Sequence, residues 1–351
     1  MTAARRPTLA DVAKLSGLSK TAVSLILNNR PGTRLSEEAV ERAHAAAAQL
    51  GYKPNPAAQS LRSGKTRSIG FISDQVTITR FASAMVRGTL RAAKELGHTV
   101  LIAETGDHVS QLAEAFDEMI DRRVDGVIVG LMAARMVDVP AAPHDVPVVI
   151  VNGTTPDHLP SVLPDEYAAG RAMASVLLEA GHRRIGFIGD VPHIAGDLRR
   201  SATIARRLAG IRETLAAQGV TAVEVKVQNW TPQIGYSEAH RMLSAHPDLT
   251  GLIAATDGVA FGVYQAIADL GLRVPHDISV VSFDDEELAS LVRPGLTTAR
   301  LPYEQMARHG VEMLLGDRPL AHELLQMPVI RRDSVRELTE GRPVELSPER
   351  R

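Results

Sequence analysis

Three polar residues share one setting. Asn152 closes the apolar run Val148–Val151, Asp257 follows Ala254-Ala255-Thr256, and Asp284 follows Val280–Phe283. Amide and carboxylate groups at the ends of buried strands can offer donors and acceptors together to a small polyhydroxylated ligand. Trp230, the one tryptophan, lies in a loop and reads either as an apolar platform for such a ligand or as an anchor for the adjacent strand. A second chemistry lies near the amino terminus. In Lys20–Leu27, the residues Val23, Ile26 and Leu27 face a core, which leaves Lys20, Thr21, Ser24 and Leu25 outward toward the start of the helix. That end of a recognition helix approaches base edges in the major groove.

Other chemistries find little support. The chain has no cysteine, so disulfides, thiolate metal sites and cysteine nucleophiles are excluded. Its twelve histidines form no i,i+4 metal pair. There is no Walker pattern, and no Gly-x-Gly-x-x-Gly opens a helix after the first strand; Gly186 and Gly189 read as packing positions. Asp284-Asp285-Glu286-Glu287 could serve a metal or acid–base site, but without a second cluster it reads as an acidic strand-end loop.

The elements that would carry these residues follow from capping and periodicity. Thr8 caps a first helix with Asp11 in its first turn, and Gly17 ends it. Ser19 caps the second helix, which ends at Asn28-Asn29. Ser36-Glu37-Glu38 starts a third, with Val40, Ala43, Ala47 and Leu50 inward and Gly51 closing it. Such a trio forms a helix-turn-helix, or equally a protein-binding module. Asn55 and Pro56 then open a short helix of about two turns, marginal in isolation. Leu61, flanked by Arg62 and Lys65, suits a minor-groove wedge or is a plain linker residue.

From Arg67 onward, apolar runs alternate with amphipathic helices. Strands are expected at 69–72, 99–103, 126–129, 146–151, 185–189, 222–227, 251–255 and 279–283, with a helix between each consecutive pair except 126–129 and 146–151. This alternation implies parallel sheets covered on both faces, and a restart near residue 160 implies two Rossmann-like lobes with a cleft at their strand ends. Charge divides in the same way. Residues 1–65 carry ten Lys/Arg against four Asp/Glu, whereas the rest carries 29 against 37, for a total of −2. A basic head on an acidic body suits a chain that meets phosphate only through its head. No stretch approaches the roughly 18 apolar residues of a membrane span, and no signal peptide is evident.

The residues Thr8-Leu9-Ala10-Asp11-Val12-Ala13, Gly17-Leu18-Ser19, Thr21-Ala22-Val23-Ser24, Asn28 and Gly51-Tyr52-Lys53-Pro54-Asn55-Pro56-Ala57-Ala58 closely resemble the signature of the lactose-repressor (LacI-type) family. The resemblance implies a dimer whose paired hinge helices insert Leu61 into the centre of a palindromic operator. It also places DNA contacts on Thr8, Ser19, Asn28, Asn55 and Ala58. At Leu25, where several relatives carry Arg or His, only apolar contact to a base is available. For the body, the resemblance implies a periplasmic-binding-protein-like fold whose chain crosses between lobes three times, with a helix near Glu304–Leu315 returning to the first lobe. It places effector contacts on Asn152, Arg207, Trp230, Thr256 and Asp284, with Phe81 lining the cleft from the first lobe. The segment Asp74–Phe81 differs in length from that of many relatives.

The expected organisation is an all-α helix-turn-helix head at 1–53, a hinge helix at 54–65, an α/β two-lobed body at 66–340 and a disordered tail at 341–351. The expected function is that of a cytoplasmic, ligand-responsive transcriptional regulator, a repressor of carbohydrate-use genes. It would be a homodimer on double-stranded operator DNA, bind a sugar or polyol effector, and need no cofactor, metal, membrane or catalytic residue. The alternative is a periplasmic-type sugar-binding or sugar-processing protein.

Overall fold

The computed structural model describes residues 7–28, 35–53, 64–75, 77, 80–106 and 109–338, the side chains of residues 80, 81, 109 and 110 excepted. The hinge helix with Asn55, Ala58 and Leu61, and the tail 341–351, lie outside these residues. The chain divides into two compact units, residues 1–68 with 123–125, and residues 69–122 with 126–351.

The first unit holds helices α1 (Leu9–Ser16), α2 (Lys20–Leu27) and α3 (Glu37–Leu50). A reciprocal capping box starts α1: Thr8 Oγ1 accepts from the Asp11 amide, and the Asp11 carboxylate accepts from the Thr8 amide at 2.8 Å. Gly17 ends α1 at φ 68°, a conformation that favours glycine, and so lets α2 restart almost at once from the Ser19 cap. Val12, Ala13, Val23, Ala46 and Ala47 form the core, with Leu9, Leu18, Leu27, Leu50 and Tyr52 packed around it. The inward face of α3 differs from expectation. Ala39, Ala43, Ala46 and Ala47 are its buried residues, while Val40 and Leu50 stay half-buried at the margins. Alanines let α3 approach its neighbours closely where branched side chains would hold it off.

The second unit holds two six-stranded sheets. Lobe 1 is built from β1 (Ser68–Ser73), α4 (Arg80–Glu95), β2 (Thr99–Glu104), α5 (Val109–Asp121), β3 (Val127–Met136), β4 (Val148–Thr154) and β5 (Ser161–Pro164). Lobe 2 follows with α6 (Glu166–Glu179), β6 (Ile185–Asp190), α7 (Pro192–Ala195), α8 (Ile204–Ala217), β7 (Val223–Lys226), α9 (Pro232–Ala245), β8 (Gly251–Ala254), α10 (Asp257–Asp269), β9 (Ser279–Asp284), α11 (Glu287–Leu291) and β10 (Thr297–Arg300). The chain then returns through α12 (Tyr303–Leu315) and β11 (His322–Leu325), and ends in lobe 2 with β12 (Val329–Ile330). Strand order is β11-β5-β4-β3-β1-β2 in lobe 1 and β12-β10-β9-β8-β6-β7 in lobe 2. Each lobe therefore repeats one doubly wound order, with its topological switch between β1 and β3 or between β6 and β8. β12, antiparallel to β10, closes the second sheet.

The three crossings and the returning helix match expectation. Four short strands, β5, β10, β11 and β12, were not expected, and β3 runs well past Val129. Between Gly130/Val151 and Arg135/Gly153 its register with β4 shifts, so Leu131–Ala134 bulge opposite Asn152. The crossover from β3 to β4, residues 137–147, contains no helix.

Candidate functional site

In the head, Ser19, Lys20 and Thr21 are exposed and Ser24 and Leu25 half-buried, so all five share the accessible side of α2. Val23 and Ile26, at 0% and 5% exposure, fasten the opposite side to the core. Ser19 Oγ caps the helix by accepting from the Ala22 amide at 3.1 Å. Asn28 terminates it, its side-chain amide donating to the Ser24 carbonyl at 2.5 Å and approaching Ser24 Oγ at 3.3 Å. Thr8 and Ser19 thus build two neighbouring helix N-termini, whose partial positive charge suits phosphate.

In lobe 2, Arg207 organises the strand ends. Helices α6 and α8 cross at Gly170 and Gly210, where an added Cβ would overlap the Arg207 and Tyr167 carbonyls. This close crossing carries Arg207, 3% exposed, over the ends of β6, β8 and β9. Its guanidinium forks onto Glu166, Nε to Oε2 at 2.6 Å and Nη2 to Oε1 at 2.7 Å, while Nη1 donates to the Ala255 carbonyl at 2.6 Å. Asp284 Oδ1 lies 3.7 Å from Nη2. The guanidinium also sits 4.3 Å from the Phe283 ring centroid and 5.9 Å from that of Trp230.

Burial pushes the Asp284 carboxyl well above the usual carboxylate range; Arg207 only partly offsets it, and the nearby Asp257, Glu166 and Glu286 add to it. Asp284 also holds φ 105° at its strand end, as Asn152 holds φ 60° in lobe 1.

Trp230 supports the anchor reading. Its Nε1 donates to the Gly189 carbonyl at 3.0 Å, and its half-buried ring packs against two core clusters. Thr256 caps α10, accepting from the Val259 amide at 3.2 Å. Asp257 does not project toward the cleft, contrary to expectation. It is fully buried and accepts from the Ser282 hydroxyl, from Thr298 Oγ1 at 2.8 Å and from the Glu286 amide at 2.7 Å. Burial raises its carboxyl to about 6, with these donors opposing the rise. Asp285 is likewise spent internally, on Arg300 at 2.6 Å and Arg332 at 2.7 Å.

Asn152 faces the bulge in lobe 1. Its Nδ2 donates to the Leu131 carbonyl at 2.8 Å, and its buried Oδ1 has no hydrogen-bond partner. Tyr303, at the start of the returning helix, donates to the Met132 carbonyl at 3.0 Å and feels Asp284, Glu166, Arg207 and Asp74 electrostatically. The bulged segment then reaches lobe 2. Met136 N donates to Leu198 O and Ala202 N to Ala134 O, both at 2.8 Å, and Arg199 forks onto Asp138 at 2.6 and 3.2 Å.

Arg207, Trp230 and Asp284 therefore cluster at the strand ends of lobe 2, with the neighbouring carbonyl of Ala255 held by Arg207 and Thr256 capping α10, while the contacts of Asn152 lie within lobe 1. The Phe81 side chain lies outside the described residues. Sequence reasoning missed Glu166 and Tyr303. For Glu166 a signal existed: it falls in helical register with Gly170, Met173 and Leu177, on the buried face of α6. Among the described residues, no group of three or more His, Cys, Asp or Glu could hold a metal ion, and no helix is long and apolar enough to cross a membrane.

Comparison with known proteins agrees with this architecture. Residues 8–55 match the model of bacterial regulatory proteins of the lacI family, and residues 174–335 match a periplasmic binding protein-like domain. The HTH-type transcriptional regulator GalS of Salmonella typhimurium is 30% identical over 312 residues, covering 88% of this chain and 89% of its own. The HTH-type transcriptional repressor PurR of Vibrio cholerae is 27% identical over 345 residues, 95% of this chain and 99% of its own. Among solved structures, the Lac repressor dimer bound to operator and the anti-inducer ONPF superposes with a TM-score of 0.74 at 26% identity, covering 95% of this chain and 100% of that one. With the capped helix pair, the twin doubly wound sheets and the triple crossing all in place, the chain belongs to the lacI family of bacterial regulatory proteins.

Proposed function

We propose that this protein is a ligand-responsive transcriptional repressor that binds a palindromic operator as a homodimer in the cytoplasm, and that it is not an enzyme. Lys20, Thr21, Ser24 and Leu25 read base edges, and the N-termini at Thr8 and Ser19 take phosphates. A sugar or polyol effector binds in the cleft among Asn152, Arg207, Trp230, Thr256 and Asp284, and shifts the lobes between two arrangements. The observation that carries the reading is the exposed start of α2, bearing Lys20 and Thr21, held rigid from behind by Val23 and Ile26. The Lac repressor neighbour is itself a dimer on operator DNA, which supports the assembly.

The test is selection of duplexes from a random pool by the full-length chain. It should return a two-fold symmetric sequence whose affinity falls steeply with salt. Lys20→Ala should weaken binding, and Thr21→Ala should relax preference at one position of each half-site. Recovery of no preferred duplex, or binding indifferent to salt, would refute the assignment.

A further inference from the structure

The extended end of β3 has an open side. β1 pairs with β3 only as far as Ser73 opposite Gly130, while Arg135 and Met136 continue beside Gly153 and Thr154 of β4. Along this stretch the backbone groups alternate in direction. The Val137 amide turns toward β4 and donates to the Thr154 carbonyl at 2.9 Å, so the Ala134 carbonyl and the Met136 amide point to the side where β1 has ended. Lobe 2 takes both groups: Met136 donates to the Leu198 carbonyl, and Ala134 accepts from the Ala202 amide, each at 2.8 Å. A segment of one lobe thus covers the open sheet edge of the other.

The segment that reaches across is held in shape by its own bonds. Between α7 and α8, the Asp197 carboxylate accepts from the Arg199 amide at 2.9 Å, and its carbonyl accepts from the amides of Arg200 at 2.9 Å and Ser201 at 2.8 Å. Buried Ser201 then accepts at Oγ from the Thr203 and Ile204 amides at 3.3 and 3.1 Å, which starts α8 with Arg207 in its first turn. In lobe 1, the bulge beside Ala134 holds Asn152 through the Leu131 carbonyl and Tyr303 through the Met132 carbonyl. The bonds between the lobes therefore join the start of the helix that carries Arg207 to the bulge that holds Asn152. The Arg199–Asp138 fork adds to them, but its side chains are 58% and 56% exposed, so water and salt screen it and the backbone pair is the main tie.

We propose that residues 197–202 act as a clasp. Engaged on β3, they hold the lobes together in the ligand-free chain, and their release gives the second of the two lobe arrangements in the response proposed above. The strength of the tie suits that use. Each net backbone bond is worth about fivefold in population, so the pair favours the engaged state without locking it, within reach of the roughly 5–150-fold that a second site can supply. Release also strands nothing in the core. Leu198 and Arg199 are exposed, and Ala134, Met136 and Ala202 are only half-buried, so the freed groups can turn to water. The clasp stands on these bonds alone, whereas its part in the response rests on the repressor reading.

Hydrogen exchange of the full chain, read by mass spectrometry, tests both parts. The Met136 and Ala202 amides lie in different lobes and should exchange slowly and together. Asp138→Arg sets two cations against each other and should speed exchange at both by about fivefold, with the β8 amides of 251–254 unchanged. Combining it with Arg199→Asp, which swaps the charges, should restore protection at both. The two side chains are exposed, so neither variant disturbs a core. Unprotected amides at Met136 and Ala202 in the unaltered chain, or a change confined to the lobe that carries the substitution, would overturn the clasp. The operator duplex returned by the selection above, added to saturation, should shift exchange at both amides in one direction by about fivefold or more, because coupling between sites is reciprocal. Unchanged exchange would reduce the clasp to a static tie and overturn its part in the response. If no operator is returned, the repressor reading and that part fall together, while the exchange of the free chain still decides the clasp itself.

Discussion

Replacing Glu166 with Gln leaves the shape of the Arg207 site intact and removes one charge. Both partners are 3% exposed, and breaking a buried pair by neutralising one member costs about 3–5 kcal/mol, because the survivor stays buried without a counter-charge. Here a substitute stands 3.7 Å away in Asp284, whose carboxyl burial holds well above the usual range. In Glu166→Gln, Arg207 would draw that carboxyl down toward ionisation, and each unit of fall recovers about 1.4 kcal/mol. The loss should therefore be larger at pH 5 than at pH 8, because a carboxyl raised by burial can replace the missing counter-charge only once ionised, and rising pH favours that. Urea unfolding at both values, followed by fluorescence of the one tryptophan beside Arg207, reads lobe 2 directly. An equal loss at the two pH values would show that Asp284 does not substitute, and a loss below about 1 kcal/mol would show that the fork is not the main counter-charge.

Three further outcomes follow from the same physics. Asp257 holds its proton more tightly folded, at about 6, than unfolded, near 3.8, so its contribution is full below pH 4 and lost as pH rises through about 6; proton uptake on refolding near pH 5 should fall in Asp257→Asn. Gly17→Ala should destabilise the head by about 1 kcal/mol, since φ 68° strains any side chain while nothing crowds the added methyl; circular dichroism melting of the full chain should show an earlier head transition and an unchanged body. Trp230→Phe keeps the ring packing but loses the bond to Gly189, costing roughly 1 kcal/mol; an undiminished melting temperature would argue against the anchor role.

Much of this architecture is legible in the chain because glycines, caps and apolar runs act locally. Thr8, Gly17, Ser19 and Gly51 fix the head's helix ends without reference to anything distant. What escaped was set by tertiary partners. Ala133-Ala134-Arg135 has no strand character of its own, and β3 continues through it because the bulge is held by Asp74, Asn152 and lobe 2. The four short strands span at most four residues each, too few for periodicity to register. At the site, the strand-end position of Asp257 was readable but its direction was not. Glu166 in a first helical turn looks like an ordinary complement to the helix dipole until the buried face of α6 is traced.

The pairing of β5 with β11 has a consequence for synthesis. Ser161 lies opposite His322, so the edge of the first sheet stays open until about 160 further residues have been made. At the usual ~5–20 residues per second that interval is roughly 8–30 s, during which β5 offers unpaired amides and carbonyls to any passing strand. The second lobe, whose strands from β6 to β10 are contiguous in the chain, can assemble in that window while the first waits. A nascent chain halted between residues 300 and 320 should therefore lean on chaperones to shield lobe 1, and the short length of β5 and the proline that closes it limit the edge on offer in the meantime.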